Sequence, residues 1–280
     1  MSMPDFDNSS NKSIQQRFFS KLFFLHHSHQ QKEIPEYYSI SAHKHIDIRQ
    51  LPEFGEVADE VIKQRRTYLS FDRLYTIFQA LRPLKNKFKS DSKMHVAEIG
   101  VWRGGTSYFI CTLLKKYDLC DKVTLHCFDT FEGHSSDDIR DQLDGPHESG
   151  GFNDTSYESV KQYLSKFNNV EILKGRFQDN ANNVKDLSFF FVHLDVDIYE
   201  PTIYALDFFN NRLYVGGCII VDDYGFNSCP GARKAVDDFL IKTNNFFPLH
   251  LLTGQCVLFK YKNELPLNPR TKDILNNNQI

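Results

Sequence analysis

Four aspartates follow two apolar segments of the chain, and their spacing suggests chemistry more directly than any other pattern. Asp195 and Asp197 close the segment FFFVHL in the sequence LDVD, and Asp222 and Asp223 close GGCIIV in the sequence VDDYG. Two like unit charges about 4 Å apart repel by about 4 kcal/mol at an effective dielectric constant of about 20. A bound cation is the simplest compensation for such a cluster. Carboxylate oxygens favour Mg²⁺, and Mn²⁺ is also compatible with them.

The positions of these acids depend on how the two segments end. Side chains alternate along a strand, so Asp195 and Asp197 share one side if the first strand continues through both. Asp222 and Asp223 are adjacent, and both point inward only if the chain bends after the second strand. A structural alternative stays open, in which Asp197 caps the following helix and Asp223 holds a turn.

A glycine-containing segment, EIGVWRGGTS, begins at Glu98 where a buried strand is expected to give way to a helix. Glycine permits close approach of a ligand to the backbone, and free amides at a helix start favour a negative group. Gly100 is followed by Gly104 and Gly105, so the dinucleotide spacing G-x-G-x-x-G is absent, as is the Lys-Ser/Thr ending of a P-loop. The segment is therefore either a nucleoside-binding turn or a purely structural one.

Asp129 ends the next apolar segment, KVTLHCFD, and lies about thirty residues after Glu98. An acid in this position can accept hydrogen bonds from both ribose hydroxyls of a nucleoside. The alternative is a cap of a helix or turn. Together, the glycine turn and this acid favour a nucleoside ligand.

Composition excludes several classes of protein. The net charge of −3 provides no general basic field, which disfavours nucleic-acid binding. The six cysteines form no C-x-x-C pair, so reduced, buried thiols are expected. No apolar segment reaches the roughly 18 residues that span a bilayer. We therefore expect a cytoplasmic protein without a membrane span.

The pattern of elements predicts an α/β fold with a doubly wound, mostly parallel sheet. Apolar strands alternate with amphipathic helices after residue 91, which is typical of a parallel sheet covered on both faces. FPLHLL and CVLFK form a final hairpin that adds an antiparallel last strand. Ile203, Leu206 and Leu213 are assigned to one helix. The polar loop 132–155 is long enough to be a functional lid.

Three regions follow from composition. Residues 1–55 are rich in Gln, Asn, Ser and His and are expected to form an arm, partly disordered or packed on a partner. Residues 56–262 form the main domain, which begins with a helical lid at 56–88. Residues 263–280 form a tail. The arm favours a homo-oligomer, a dimer or larger.

Six ordered motifs resemble one known family. EIGVWRGG, FDTFEG, KGRFQD, LDVDIYEPT, GGCIIVDDYG and PGARKAVDDF together resemble the TylF/MycF/NovP group of S-adenosylmethionine-dependent sugar O-methyltransferases. The resemblance covers about residues 60–260. It implies the class I methyltransferase fold, with its Rossmann-like sheet. It also implies Mg²⁺ and methylation of a sugar or glycan hydroxyl in polysaccharide or natural-product biosynthesis.

The resemblance also implies roles for individual residues. Asp197 matches the general base, and Asp195 serves both as a catalytic residue and as a metal ligand together with Asp222 and Asp223. The positions that match the cofactor site are Thr67, Tyr68, Glu98, Gly100, Trp102, Gly104, Asp129, Thr130, Phe131, Gly175, Phe177 and Gln178.

Two departures from the family pattern leave the acceptor open. Val196 stands where many members have glycine, and the loop 134–153 is long and acidic. Because this loop should border the acceptor pocket, a catechol or another phenolic compound is an alternative acceptor. A third interpretation is a non-catalytic nucleotide-binding relative that keeps the fold.

Overall fold

The computed structural model describes residues 47–87 and 93–263. Most of the predicted arm and all but the first residue of the predicted tail lie outside these ranges. The described part begins with a 3-10 helix, Ile48–Gln50. Among the described residues, no helix has the length and apolar character needed to cross a membrane.

Seven strands form one sheet in the order β3-β2-β1-β4-β5-β7-β6. Neighbours among the first five strands are parallel, and β7 is antiparallel to both β5 and β6. This arrangement confirms the mostly parallel sheet with an antiparallel last strand. The strands are β1 (Met94–Ile99), β2 (Val123–Asp129), β3 (Val170–Lys174), β4 (Phe189–Leu194), β5 (Leu213–Val221), β6 (Phe246–His250) and β7 (Cys256–Lys260).

Eight α-helices accompany the sheet within the described ranges. They are α1 (Gly55–Lys63), α2 (Phe71–Leu81), α3 (Leu84–Lys87), α4 (Gly105–Lys116), α5 (Tyr157–Leu164), α6 (Phe177–Asn180), α7 (Tyr199–Asn210) and α8 (Pro230–Lys242). A 3-10 helix, Ala181–Val184, follows α6. The assignment of Leu213 to a helix was wrong, because α7 ends at Asn210 and Leu213 pairs with Phe189 of β4.

The predicted helical lid at 56–88 is divided into α1, α2 and α3, with residues 64–70 outside any helix. Arg65 adopts a left-handed φ of 54°, which ends the first helix. The Arg66 carbonyl then accepts a hydrogen bond from the Gly105 amide at the start of α4, 2.9 Å away. A tertiary hydrogen bond thus takes the place of a helical one, and residues 66–68 line the cavity described below.

The sheet separates two apolar cores, one against α1, α2 and α4 and the other against α7 and α8. Adjacent strand residues alternate between them, so Val96 lies in the first core and Ala97 in the second. All six residues of β4, FFFVHL, are buried. A continuous apolar strand of this kind is expected at the centre of a sheet with helices on both faces.

The register of the parallel strands places their ends side by side. Ile99 pairs with Phe128 and with Leu194, and Leu194 pairs with Val221. The residues that directly follow Ile99, Phe128, Leu194 and Val221 are Gly100, Asp129, Asp195 and Asp222. The predicted cofactor turn and the predicted acids are therefore brought together at the carboxyl edge of the sheet.

Candidate active site

A cavity of about 340 Å³ lies at this carboxyl edge. Its walls come from the segment 66–68, the ends of β1, β2 and β4, the loop after β2, and the segments after β3 and β5. Of the predicted site residues, those that line it are Thr67, Tyr68, Glu98, Gly100, Trp102, Asp129, Thr130, Gly175, Phe177, Gln178, Asp195, Asp197 and Asp223. Gly104, Phe131 and Asp222 are the predicted site residues outside this lining.

Three carboxylates converge at one end of the cavity. The backbone amide of Asp197 donates a hydrogen bond to Asp223 Oδ2, 3.2 Å away. Burial raises the pKa of Asp195, Asp197 and Asp223 to about 7 each. Repulsion within the group adds to the increase, since Asp223 acts on Asp195, Asp195 on Asp197, and Asp197 on Asp223.

The way in which Asp197 reaches this group differs from the expected one. β4 ends at Leu194, so strand alternation does not place Asp195 and Asp197 on one side. Asp197 instead has a φ of 63°, a left-handed conformation that is uncommon for non-glycine residues. Asp223 holds this turn through the Asp197 amide, and Ile198 is the residue before α7. The turn-holding role that was left open for Asp223 is thus present, whereas Asp197 is not the cap of α7.

Asp222 points away from the cavity into a buried polar cluster. Its carboxylate forms an ion pair with Arg73, and Oδ1 accepts a hydrogen bond from Gln255 Nε2 at 2.7 Å. His193 Nε2 lies 3.4 Å from the same oxygen. Within the described residues, no potential metal-ligand group combines Asp222 with both Asp195 and Asp223. The three predicted metal ligands therefore do not form one compact set.

Arg73 was missed by the sequence analysis, although it supplies the positive charge nearest to the acids. Its guanidinium Nη2 lies 3.9 Å from Asp223 Oδ1, in addition to the pair with Asp222. The signal for it was present in α2, where Arg73, Ile77 and Leu81 recur every four residues and all are buried. A charged residue on the buried stripe of a helix requires a buried partner.

The acids that line the cavity nevertheless fit a divalent cation. One guanidinium offsets only part of the charge of four neighbouring carboxylates, and the remaining repulsion contributes to the pKa of about 7. The donor atoms on the cavity side, from Asp195 and Asp223, are hard carboxylate oxygens of the kind that Mg²⁺ prefers. Mg²⁺ also keeps several water ligands, so two protein carboxylates suffice to hold it.

The glycine turn brings β1 and β4 together at the cavity floor. Gly100 has a φ of 88°, and a Cβ atom there would lie 1.9 Å from the backbone oxygen of Asp195. Only glycine allows this approach. Glu98 is buried just before the turn, where burial raises its pKa to about 8, and it accepts a hydrogen bond from Ser107 Oγ.

Asp129 organises the backbone around the predicted nucleoside site. Its Oδ2 accepts hydrogen bonds from the Val101 and Trp102 amides, both at 2.7 Å, and its Oδ1 accepts one from the Phe131 amide at 2.6 Å. The alternative role as a turn cap is therefore present. Because Asp129 also lines the cavity, contact with a ribose remains compatible with this position and stays a prediction.

Aromatic rings form one wall beside the glycine turn. Tyr68 stacks on Trp102 with ring centroids 4.2 Å apart, and Phe152 meets Tyr68 edge to face at 5.9 Å. Trp102 has a φ of 48° and donates a hydrogen bond from Nε1 to Asp154 at 2.6 Å. The segment 66–68 and the long loop are thus joined across the cavity.

The predicted adenine end of the cavity contains an unsatisfied acceptor. Gln178 Nε2 donates to Asp138 Oδ1 at 3.2 Å, and Arg176 forms an ion pair with the same carboxylate at 2.5 Å. Gln178 Oε1 is buried and has no hydrogen-bond partner within the described part of the chain. Buried polar atoms are normally satisfied, so this oxygen fits a donor group on a bound ligand.

Two residues that were predicted to contact the cofactor, Gly104 and Phe131, pack within the domain outside the cavity lining. Gly104 precedes α4 with a φ of 84°, and a Cβ there would lie 3.1 Å from Val160 and 3.3 Å from Tyr163. Phe131 is buried in the first core and packs edge to face on Tyr157 at 5.7 Å. Neither residue is part of the cavity lining, and both pack against other parts of the structure.

The long loop after β2 borders the cavity, as expected, and is anchored to the acid-bearing side of the domain. Gly133, His134 and Phe152 line the cavity. Asp144 is fully buried, and its Oδ1 accepts a hydrogen bond from the Tyr199 amide at the start of α7, 2.7 Å away. A Cβ on Gly231, in the first turn of α8, would lie 1.9 Å from the same oxygen. One carboxylate thus fixes the loop against two helix starts.

The described fold resembles a known methyltransferase structure. The O-methyltransferase NovP has a TM-score of 0.58 and 23% identity, over 70% of this chain and 83% of that one. This similarity confirms the class I methyltransferase fold expected from the sequence.

Two curated proteins are related in sequence. One, 8-demethyl-8-(2,3-dimethoxy-alpha-L-rhamnosyl)-tetracenomycin-C 4'-O-methyltransferase from Streptomyces olivaceus, is 29% identical over 59% of this chain and 65% of its own length. The other, mycinamicin III 3''-O-methyltransferase from Micromonospora griseorubida, is 30% identical over 51% of this chain and 59% of its own length. The chain thus spans less than two thirds of the length of these relatives.

A family model gives a longer match. The model described as macrocin-O-methyltransferase (TylF) matches residues 6–261, which is most of the chain and includes every strand of the sheet. It also includes the glycine turn, Asp129 and the four aspartates. On this basis, the chain belongs to the macrocin-O-methyltransferase (TylF) family.

Proposed function

We propose that this protein transfers a methyl group from S-adenosylmethionine to a hydroxyl of a sugar or glycan, with the help of Mg²⁺. The observation that carries the proposal is the meeting of three clustered carboxylates, from Asp195, Asp197 and Asp223, with a nucleoside-sized cavity. A binding protein for a nucleoside needs no such group of repelling acids beside its ligand. In a hydroxyl methyltransferase, such acids can bind a cation and take the proton of a very weakly acidic acceptor.

The methyl donor would lie along the carboxyl edge of the sheet. Glu98, Gly100 and Trp102 line the part assigned to its amino-acid portion, and Asp129 the part assigned to its ribose. Gln178 Oε1, buried and without a partner among residues 47–87 and 93–263, is available to the exocyclic amine of adenine. The segment with Thr67 and Tyr68 would close over the donor from the opposite side.

Methyl transfer from a sulfonium to oxygen is an in-line displacement, so the protein must chiefly position and deprotonate the acceptor. A bond forms between the acceptor oxygen and the methyl carbon, the carbon–sulfur bond breaks, and the acceptor proton leaves. Asp197 is the group that takes this proton. It lines the cavity, and a pKa of about 7 makes it a much stronger base than an ordinary aspartate.

Asp195 and Asp223 are the residues that would hold Mg²⁺ on the cavity side, with Asp222 behind them. When bound, the metal ion would supply positive charge that lowers the pKa of a hydroxyl at the site. A sugar hydroxyl is about as weakly acidic as water, whose pKa is about 15.7, so a carboxylate alone is a poor match for it.

The names of the relatives support a sugar as the acceptor. One specifies a rhamnosyl-bearing tetracenomycin and 4'-O-methyl transfer, and the other specifies 3''-O-methyl transfer to mycinamicin III. Both acceptors are natural products. We extend this acceptor class to the present protein as a proposal.

The test is a methyl-transfer assay with purified full-length protein, S-adenosylmethionine and Mg²⁺. The acceptor panel contains nucleotide sugars, glycosylated natural products and glycan fragments, with catechols as a separate set. We expect a mass increase of one methyl group on a sugar acceptor, and loss of activity after exhaustive chelation. Methylation of catechols alone would refute the sugar assignment. Activity that survives chelation would remove the metal from the proposal.

A further inference from the structure

A second group of potential ligands adjoins the acids, and the proposed reaction leaves most of it unused. His134 and His147 come from the long loop, and Cys229 is the residue immediately before α8. All three lie close to Asp197. His134, His147 and Asp197 each offer a ligand atom within 4.8 Å of the other two, as do Asp197, Asp223 and Cys229.

Three contacts within this group have lengths found between the ligands of one metal ion. His134 Nε2 lies 3.5 Å from Asp197 Oδ2, Cys229 Sγ lies 3.5 Å from Asp197 Oδ1, and His147 Nε2 lies 3.5 Å from Cys229 Sγ. Zinc bonds to nitrogen, oxygen and sulfur of about 2.0–2.3 Å place neighbouring tetrahedral ligands about 3.3–3.8 Å apart. The two contacts to Asp197 end on different oxygens of its carboxylate, so this residue joins His134 to Cys229 through both oxygens.

The donor atoms differ in kind from those of the proposed Mg²⁺ position. Two imidazoles, one thiol and one carboxylate suit Zn²⁺ or Co²⁺, whereas Mg²⁺ prefers oxygen atoms alone. Burial lowers the pKa of His134, to about 4, and also that of His147, so both rings are neutral and have a free nitrogen lone pair. The two groups of ligands can thus select different metals.

The hydrogen bonds present leave this group incompletely satisfied. His134 Nε2 is buried and has no hydrogen-bond partner within the described residues. In the described part of the chain, the polar contacts of Cys229 Sγ are to Ser228 Oγ, His147 Nε2 and Asp197 Oδ1, each at 3.5 Å. His147 Nε2 lies 3.0 Å from the Ser228 carbonyl oxygen, a contact that coordination through this nitrogen would replace. Ordinary polar packing leaves the His134 nitrogen unexplained.

We propose that His134, His147, Cys229 and Asp197 form a binding site for a soft divalent cation of the Zn²⁺ type, distinct from the proposed Mg²⁺ position. Coordination deprotonates the Cys229 thiol, and its proton passes to solvent. Metal binding therefore becomes tighter as the pH rises. No oxidation or reduction is involved.

Occupation of this site has a consequence for catalysis, which rests on the proposed function. A cation held by this site occupies the carboxylate of Asp197, which is then unable to take the acceptor proton. Zn²⁺ should therefore inhibit methyl transfer in the presence of saturating Mg²⁺. Metal binding itself does not depend on the proposed function, because it can be measured without any acceptor.

Binding is tested with Co²⁺, which reports its own coordination by absorption. Full-length protein, reduced and freed of metal, is kept in excess Mg²⁺ to occupy the hard-oxygen position and is then titrated with Co²⁺. We expect one equivalent to bind with the intense visible bands of tetrahedral Co²⁺ and a cobalt–thiolate charge-transfer band, both removed by Zn²⁺. Absence of binding, or the weak bands of an octahedral ion, would overturn the proposal.

Co²⁺ binding to single-residue variants identifies the residues that bind the metal ion. Changes to groups behind metal ligands cost about 10–100-fold in affinity, so loss of a direct ligand in Cys229→Ser or His147→Ala should cost more than about 100-fold. Cys229→Ser should also lose the charge-transfer band. Cys120→Ser is the matched control, since Cys120 is a free, partly exposed thiol between α4 and β2, and it should bind Co²⁺ as the wild type does. Retention of the thiolate band in folded Cys229→Ser protein, or its loss in Cys120→Ser, would refute the assignment.

The inhibition is tested separately. Wild-type activity in excess Mg²⁺ should fall on titration with Zn²⁺, and His147→Ala, which leaves Asp197 in place, should resist this inhibition at least tenfold. Inhibition that is equal in both proteins would show that Zn²⁺ acts elsewhere. If neither protein is active, the Co²⁺ result still decides the binding site, and only the proposed function fails.

Discussion

Arg73 and Asp222 form a buried ion pair that joins the helical segment before the sheet to the end of β5. The two side chains are 9% and 0% exposed, and Gln255 from the loop before β7 completes the cluster through Asp222 Oδ1. The cluster therefore links three distant parts of the chain next to the acids that line the cavity. It also keeps Asp222 turned away from the cavity.

Removal of one partner of this pair should be strongly destabilising. Arg73→Met leaves the buried charge of Asp222 without its cation, a change that typically costs about 3–5 kcal/mol of unfolding free energy. The measurement is urea denaturation followed by circular dichroism. The double variant Arg73→Met/Asp222→Asn should recover part of the loss, and Arg82→Met, an exposed arginine next to α2, should change little. Equal losses in the single and double variants would argue against a coupled pair.

Asp197→Asn tests the proton acceptor. The amide is nearly isosteric with the carboxylate but accepts no proton, so turnover should fall by about 10²–10⁴-fold, the usual contribution of a general base. Affinity for S-adenosylmethionine, measured by calorimetry, should remain within a few-fold of wild type. Asp141→Asn, a change to an exposed acid of the loop, is the matched control. Turnover near the wild-type value in Asp197→Asn would remove this residue from the base role.

The raised pKa values of the three acids predict a stability that depends jointly on pH and metal. Their pKa of about 7 in the folded state exceeds the ordinary aspartate value of 3.8, mainly because of burial. Between about pH 4 and pH 7 these three acids bind more protons in the folded state than in the unfolded state, so their contribution to the stability of the metal-free protein falls as the pH rises through this window.

A cation that binds the ionised carboxylates should reverse this loss. We expect Mg²⁺ to raise the melting temperature clearly at about pH 8 and very little at about pH 5, because protons compete with the metal at the lower pH. The comparison is with chelator-treated protein at equal ionic strength. A Mg²⁺ effect of the same size at both pH values would contradict the proposed link between these acids and the metal.

Gly100→Ala should disrupt the cavity floor. The new Cβ would lie 1.9 Å from the Asp195 backbone oxygen, in a residue whose φ is 88°, so β1 and β4 would have to separate at their ends. We expect the loss of donor binding together with reduced stability. Gly150→Ala is the control, since its φ of 78° imposes similar backbone strain but the nearest atom lies 3.6 Å away. Similar effects of both changes on donor affinity would show that strain, not close packing, is responsible.

The sequence predicted best those features that depend on short spacing. The apolar segments became β1, β2, β4 and β5, and parallel register carried the residues after them to one edge. Gly100, Asp129 and Asp195 could be placed there because each directly follows or ends a strand. The physical rule behind this success is that parallel strands expose their carboxyl ends on the same side.

Features that depend on long-range pairing could not be predicted in this way. The contact of Gln255 with Asp222 and with the carbonyl of Arg73 spans up to 182 residues of sequence. Asp222 and Asp223 are equivalent by spacing, and only the buried guanidinium decides which one faces the cavity. Residues 64–70 likewise leave the helix because Gly105 offers a hydrogen bond to Arg66. No local sequence pattern predicts these long-range contacts.

The buried carboxylate of Asp144 has a consequence for how the domain opens. It caps α7 through the Tyr199 amide and lies against Gly231 of α8, so the long loop is unable to lift without uncovering both helix starts. Loop release is therefore a cooperative opening of a larger unit rather than local fraying. In hydrogen exchange, the Tyr199 amide should exchange together with those of the loop, and Asp144→Ala should accelerate all of them at once.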